Sequence, residues 1–189
     1  MKTKKSSLDL GYFIEHIGTL LAITVITGLL LAVVNHFTAP IIAQKAEQSR
    51  FDAIAAIMPT ATDFEDVDYQ GEAVIDDMVV AYEDGKFLGW CVTVGHSGFD
   101  GPVTMIVGVA PEGTVIGLQV LSHTETPGLG TKAVESAEWL GQFAGSDLDS
   151  QIDGISGATK SSNAVFNNVE HALKAVADEI AGGDDYGGV

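Results

Sequence analysis

The hydrophobic positions of this chain fall into three regimes: one unbroken run, several short alternating runs, and one periodic face near the C-terminus. From Ile17 to Val34 no residue is charged and only Gly and Thr relieve the apolar character. At ~1.5 Å per residue this run spans about 27 Å, close to the hydrocarbon thickness of a bilayer. No Asp, Glu, Lys or Arg occurs between Glu15 and Lys45, so the helix has room to be longer. The run exceeds the apolar region of a cleaved signal peptide and predicts a retained transmembrane anchor. Gly18, Ala22, Gly28 and Ala32 give it small residues of the kind that allow close helix packing.

After Pro40 a second helical pattern places Phe51, Ile54 and Met58 at helical spacing, and Pro59 ends it. Residues 60–77 are acidic without a clear period and read as a surface loop. Four strands are predicted next. Met78–Glu83 and Lys86–Gly95 flank Asp84-Gly85, and Val103–Ala110 and Thr114–Ser122 flank Pro111-Glu112-Gly113. Both connections are hairpin signals, so these strands are antiparallel. A helix is predicted near Thr131–Phe143 and a last one from about Lys160 to Ile180. Val165, Val169, Ala172, Leu173, Val176 and Ile180 form its apolar face. The element order predicts an α+β fold, an antiparallel sheet with helices on one face, preceded by a transmembrane helix. The domains expected are 1–39 (cytoplasmic stub and anchor), 40–182 (soluble domain) and 183–189 (disordered tail).

Charge narrows the possible partners. The formal net charge is −17 over 189 residues, and residues 40–189 hold six basic against 24 acidic side chains. Such a domain does not bind nucleic acid backbone and is repelled by anionic lipid. Lys2, Lys4 and Lys5 favour an N-terminus in the cytoplasm and a domain on the extracytoplasmic face of the plasma membrane. The single Cys91 excludes an internal disulfide and a multi-cysteine metal or iron–sulfur site, and its apolar surroundings predict a buried thiol. His96, His123 and His171 do not have metal-ligand spacing, so no metal is expected.

The candidate chemistry lies in Asp153–Ser162, DGISGATKSS. Two glycines, four hydroxyl residues and one lysine precede an amphipathic helix, which describes a tight turn feeding a helix N-terminus. That is a place suited to phosphate. As a Walker A loop, Gly154–Ser161 carries Thr159 where the second glycine belongs, and the acidic SDLDSQ before it is no apolar strand. As a nucleophile elbow, Gly154-Ile155-Ser156-Gly157-Ala158 ends on alanine, and only His171 follows as a base. By themselves the ten residues equally describe a Ser/Thr-capped helix behind a glycine turn.

Asp153-Gly154-Ile155-Ser156-Gly157-Ala158-Thr159 resembles, in full, the flavinylation motif of the FMN-binding domain family. Two further segments carry the same resemblance. Phe99-Asp100-Gly101-Pro102-Val103 is similar to the loop that opens a central strand in that family. His123-Thr124-Glu125-Thr126-Pro127-Gly128-Leu129-Gly130 is similar to its H-x-E-T-P-G-L-G loop. The resemblance implies FMN joined through its phosphate to the Thr159 hydroxyl, with Ser156, Gly157 and Ala158 giving access and Lys160 adding positive charge. It further implies that Glu125, Thr126, Gly128 and Leu129 border the isoalloxazine, with His123 nearby. The TPGLG turn would bring backbone N–H groups against the ring.

Within the family, the single anchor and short length resemble the G subunit of Rnf complexes, which pass electrons between ferredoxin and NAD and move Na⁺ or H⁺. The implied role is an electron relay with no catalytic base and no independent activity. Its partners would be the other membrane subunits and, during maturation, a flavin transferase. The C subunit of the Na⁺-translocating NADH:quinone oxidoreductase shares anchor and motif and is the alternative. A structural alternative rests on Gly11-Tyr12-Phe13-Ile14-Glu15, which is similar to a type IV pilin N-terminus with its glutamate one place early.

Overall fold

The structure, a computed structural model, describes residues 10–182, and the chain divides into two units, 1–46 and 47–189. The N-terminal lysines and the 183–189 tail lie outside the described residues. One helix, α1 (Leu10–Ile57), runs through both apolar patterns and contains Pro40. Proline lacks one N–H donor, yet here it does not separate two helices as its position predicts. The side chains from 16 to 49 are all exposed, Leu20, Leu29 and Phe37 by more than 60%. The helix is long and apolar enough to cross a membrane.

The second unit is built on five strands: β1 (Asp63–Val67), β2 (Ile75–Glu83), β3 (Lys86–Ser97), β4 (Pro102–Val109) and β5 (Val115–Ser122). They lie in sequence order, every neighbour antiparallel. The β2–β3 turn is closed by Asp84 and Gly85 at φ 50° and 80°, the left-handed pair that a two-residue hairpin requires. α2 (Thr131–Val134), α3 (Ala137–Leu140), a 3₁₀ turn (Gly141–Phe143) and α4 (Thr159–Gly182) follow.

Strand alternation divides the buried residues between two cores. Met78 and Val80 of β2, Trp90, Val92 and Val94 of β3, and Val103, Met105, Val107 and Val109 of β4 face one side. There they meet Val165, Val169, Leu173 and Val176 of α4. Val79, Ala81, Cys91 and Ile106 face the other, against Ala53, Ile54 and Met58 at the end of α1. Period-2 side chains on strands buried on both faces produce the continuous apolar runs of β3 and β4.

Four expectations change. Helices cover both faces of the sheet, because the end of α1 supplies Ile54 and Met58 while Phe51 stays exposed. The 60–77 loop contains β1, whose DFEDV is almost wholly exposed at the sheet edge and so lacks apolar alternation. The helix near 131–143 is three short pieces. Ser136 is extended (φ −78°, ψ 98°) and its side chain accepts a hydrogen bond from the Trp139 N–H, starting a new helix in mid-pattern. Ile180, expected on the buried face of α4, is 47% exposed.

Arg50, in the last part of α1, pairs with Asp77 of β2 and lies 3.6 Å from Asp66 of β1. Burial raises the Asp77 pKa above the usual carboxylate range, against the opposing pull of Arg50. The Cys91 thiol is 1% exposed, 3.9 Å from the Met58 sulfur, and burial pushes it up to about 12. It stays protonated at neutral pH and is no attachment nucleophile.

Candidate functional site

Three loops meet at the head of α4. The first is Gly98–Gly101, a turn closed by the Gly98 N–H donating to the Gly101 carbonyl at 2.7 Å. The second runs from His123 to Gly130. The third is the Asp153–Thr159 approach to α4. Their meeting follows from the sheet: β3 and β4 share an end at Ser97 and Pro102, paired across the ladder, and β5 returns beside Thr104 at Ser122.

The third loop is pinned from two sides. The Trp139 indole donates to the Asp153 carbonyl at 2.7 Å, and the Ile155 N–H donates to the buried Ser162 hydroxyl at 3.0 Å. Gly157, at φ 81°, turns the chain into the helix, a conformation costly for any residue with a Cβ. Ala158 is buried, and its carbonyl accepts from the Ser162 N–H at 2.8 Å, opening the helical ladder. Thr159 is therefore the first helical residue and not a side-chain cap, and it is exposed. It stands where N–H groups precede the ladder and the helix dipole is positive.

A cleft of about 280 Å³ opens beside Thr159, lined by Phe99, Thr126, Leu129, Gly130, Gly157, Ala158, Lys160 and Ser161 as well. Phe99 and Leu129 are 66% and 56% exposed, which is unusual for large apolar residues on one cleft. The Lys160 ammonium lies 5.6 Å over the Phe99 ring. The cleft is at the small end of ligand sites (~300–1,000 Å³). A mostly apolar slot with a cation and a helix N-terminus at its rim fits a flat aromatic ring that bears a phosphate. Larger clefts, of about 400, 560 and 300 Å³, lie along the 146–153 loop, along β5, and where β5 meets residues 49–56. None of these contains the cleft residues named here, and chemistry outweighs size in the choice.

The structure brings Thr126, Leu129, Gly157, Ala158, Thr159 and Lys160 together on this cleft. Glu125, Gly128, His123 and Ser156 do not line it. Glu125 is 4% exposed, with its carboxylate bonded to the Phe99 N–H and the Ser161 hydroxyl. Gly128 takes φ 78° and donates to the Thr131 hydroxyl at 3.0 Å. His123 lines the β5 cleft, with Nε2 3.4 Å from Glu135. Ser156 is exposed in the turn. Within the TPGLG turn the Gly128 N–H donates to the Thr131 hydroxyl and the Leu129 N–H to the Thr126 carbonyl, so these two groups are engaged inside the loop. Phe99, Gly130 and Ser161 are also wall residues; each lies inside a motif segment quoted above, but motif reading gives none of them a site role. His96 and His171 stack with ring centroids 5.5 Å apart, His171 bonded to Glu72, and neither lines the cleft.

The FMN-binding domain matches residues 98–174, a stretch that contains all three loops. The chain is 34% identical over 178 residues to the G subunit of an ion-translocating oxidoreductase complex from Methanosarcina acetivorans, covering 85% of this chain and 93% of that protein. It is 30% identical over 168 residues to the G subunit of the proton-translocating ferredoxin:NAD(+) oxidoreductase complex of Clostridium ljungdahlii, covering 83% and 88%. Among solved structures, NqrC of Shewanella oneidensis superposes with a TM-score of 0.50 at 19% identity, over 66% of this chain and 73% of that one. At that identity the likeness is one of fold.

Proposed function

Because the chain belongs to the FMN-binding domain family, among the G subunits of Rnf-type complexes, we propose that it relays electrons through an FMN esterified to Thr159. The cofactor is FMN, and the chain is an electron-transfer subunit of an oxidoreductase complex. The observation that carries the attachment is the exposed Thr159 hydroxyl, first on α4, on the rim of the cleft. When bound, FMN supplies the ability to take up and release electrons. The chain's own residues do the rest. Phe99 and Leu129 offer apolar surface for a ring, and Gly130, Gly157 and Ala158 keep the walls low. Lys160 and the first N–H groups of α4 face the remaining negative charge of a phosphate diester.

The proposal extends to the assembly. A single apolar helix anchors the domain in the plasma membrane with its N-terminus cytoplasmic, where a flavin transferase outside would reach Thr159. The other membrane subunits of an Rnf-type complex would give and take the electrons, coupled to Na⁺ or H⁺ movement. No separate activity is assigned to the isolated chain.

Intact mass tests the ester. Chain produced in a host with the transferase should exceed its sequence mass by one FMN less water, and its denatured band should fluoresce. Thr159→Ala should abolish both and leave the domain folded, since a residue at the first helical position contributes at most about 1 kcal/mol. An unmodified wild-type mass from that host would sink the covalent reading.

A further inference from the structure

Glu125 belongs to the loop that the family resemblance places against the flavin, yet its carboxylate is 4% exposed and lies behind the cleft wall. Oε1 accepts from the Phe99 N–H at 2.8 Å, and Oε2 accepts from the Ser161 hydroxyl at 2.7 Å. Those two residues stand 26 positions before and 36 positions after it in the chain, and both line the cleft. One side chain of the second loop thus joins the first loop to the first turn of α4. The space around it is kept by two glycines. A Cβ on Gly98 would fall 2.0 Å from Oε1, and one on Gly130 would fall 2.1 Å from Oε2 and 2.7 Å from the Ser161 hydroxyl. Any larger residue at either place displaces the carboxylate. A second strap lies alongside, where the Thr124 hydroxyl donates to the Asp100 carbonyl at 3.0 Å.

A carboxylate is suited to this place because it accepts from both sides at once. A glutamine accepts on one side and must donate on the other, while an alanine removes the acceptor of both the Phe99 N–H and the buried Ser161 hydroxyl. We propose that Glu125 is a positioning residue. Its carboxylate fixes the Phe99 loop against the head of α4, holding the cleft at one width so that a flavin tethered at Thr159 cannot swing. This role rests on the functional reading above, and it assigns Glu125 no contact with the ring.

The test compares full-length wild type with Glu125→Ala, Glu125→Gln and Ser161→Ala, all produced with the transferase present. Mass establishes FMN attachment, and time-resolved fluorescence anisotropy and the midpoint potential report how the ring is held. All four proteins should carry FMN, since Thr159 takes no part in the bridge. Wild type should show slow rotation only. Glu125→Ala should add the fast rotation of a tethered ring and shift the potential, and its Phe99 amide should exchange about tenfold faster with solvent. Ser161→Ala should move in the same direction by less. Glu125→Gln should restore most of the wild-type behaviour, its amide oxygen still accepting from the Phe99 N–H. A folded Glu125→Ala protein with wild-type anisotropy and potential would overturn the proposal. If that variant does not fold, unchanged anisotropy and potential in Ser161→Ala would overturn it equally. A wild-type chain that takes up no FMN is a different outcome, because it sinks the functional reading itself.

Discussion

Leu129 shows what a single exposed side chain does at this site. It sits on a turn in which Gly128 is left-handed and the Leu129 N–H is bonded back to Thr126. It is 56% exposed on a cleft wall, so if a ring occupies the cleft, burial against it would be where Leu129 gains its hydrophobic contribution. Leu129→Glu should leave folding and FMN attachment intact, lower the flavin potential by placing negative charge beside the ring, and slow reduction by the membrane subunits. Potentiometric titration and stopped-flow reduction check this, and unchanged values in both would remove Leu129 from the ring contacts. The proposed attachment residue is legible in the sequence because seven consecutive residues carry its motif. The Glu125 bridge is not. Its partners are a backbone N–H and a serine hydroxyl far along the chain, and neither residue type advertises such a bond.

At the scale of elements, the legible parts are those with local causes. The hairpin at Asp84-Gly85 and the face of α4 follow from turn chemistry and periodicity. β1 escapes notice because an edge strand with charged outward faces resembles a loop; its exposed acids also discourage pairing with another sheet. The last turns of α1 carry a core role that their short apolar pattern understates. Ile54 is 1% exposed in the core opposite α4. Ile54→Ala should destabilise the domain by about 2–5 kcal/mol, with FMN attachment retained because the flavin cleft is built on the other face. Thermal unfolding with and without the substitution measures it. A change within error would mean that the end of α1 is not packed on the sheet as described.

For the whole molecule, sign and order matter more than any one contact. The chain after the apolar run is strongly acidic, while Lys2, Lys4 and Lys5 stand together ahead of it. That asymmetry predicts a single crossing with the domain outside. A reporter fused after Val189 should be active if it functions only outside the cytoplasm and silent if it functions only within. The opposite pattern would reverse the orientation and remove this flavin from an extracytoplasmic electron path.

The strands pair strictly with their neighbours in sequence, and the final helix closes the core. Each hairpin can therefore form as it is made, from contacts that need little loop closure. The flavin cleft cannot. It takes Phe99 from before the last hairpin, Leu129 from after it, and Thr159 and Ser161 from the last helix, so it exists only once the chain is nearly complete. The threonine proposed to receive the cofactor sits on the element that finishes the fold. On the proposed attachment, loading would be ordered after folding, because a half-made chain presents no assembled cleft to a modifying enzyme.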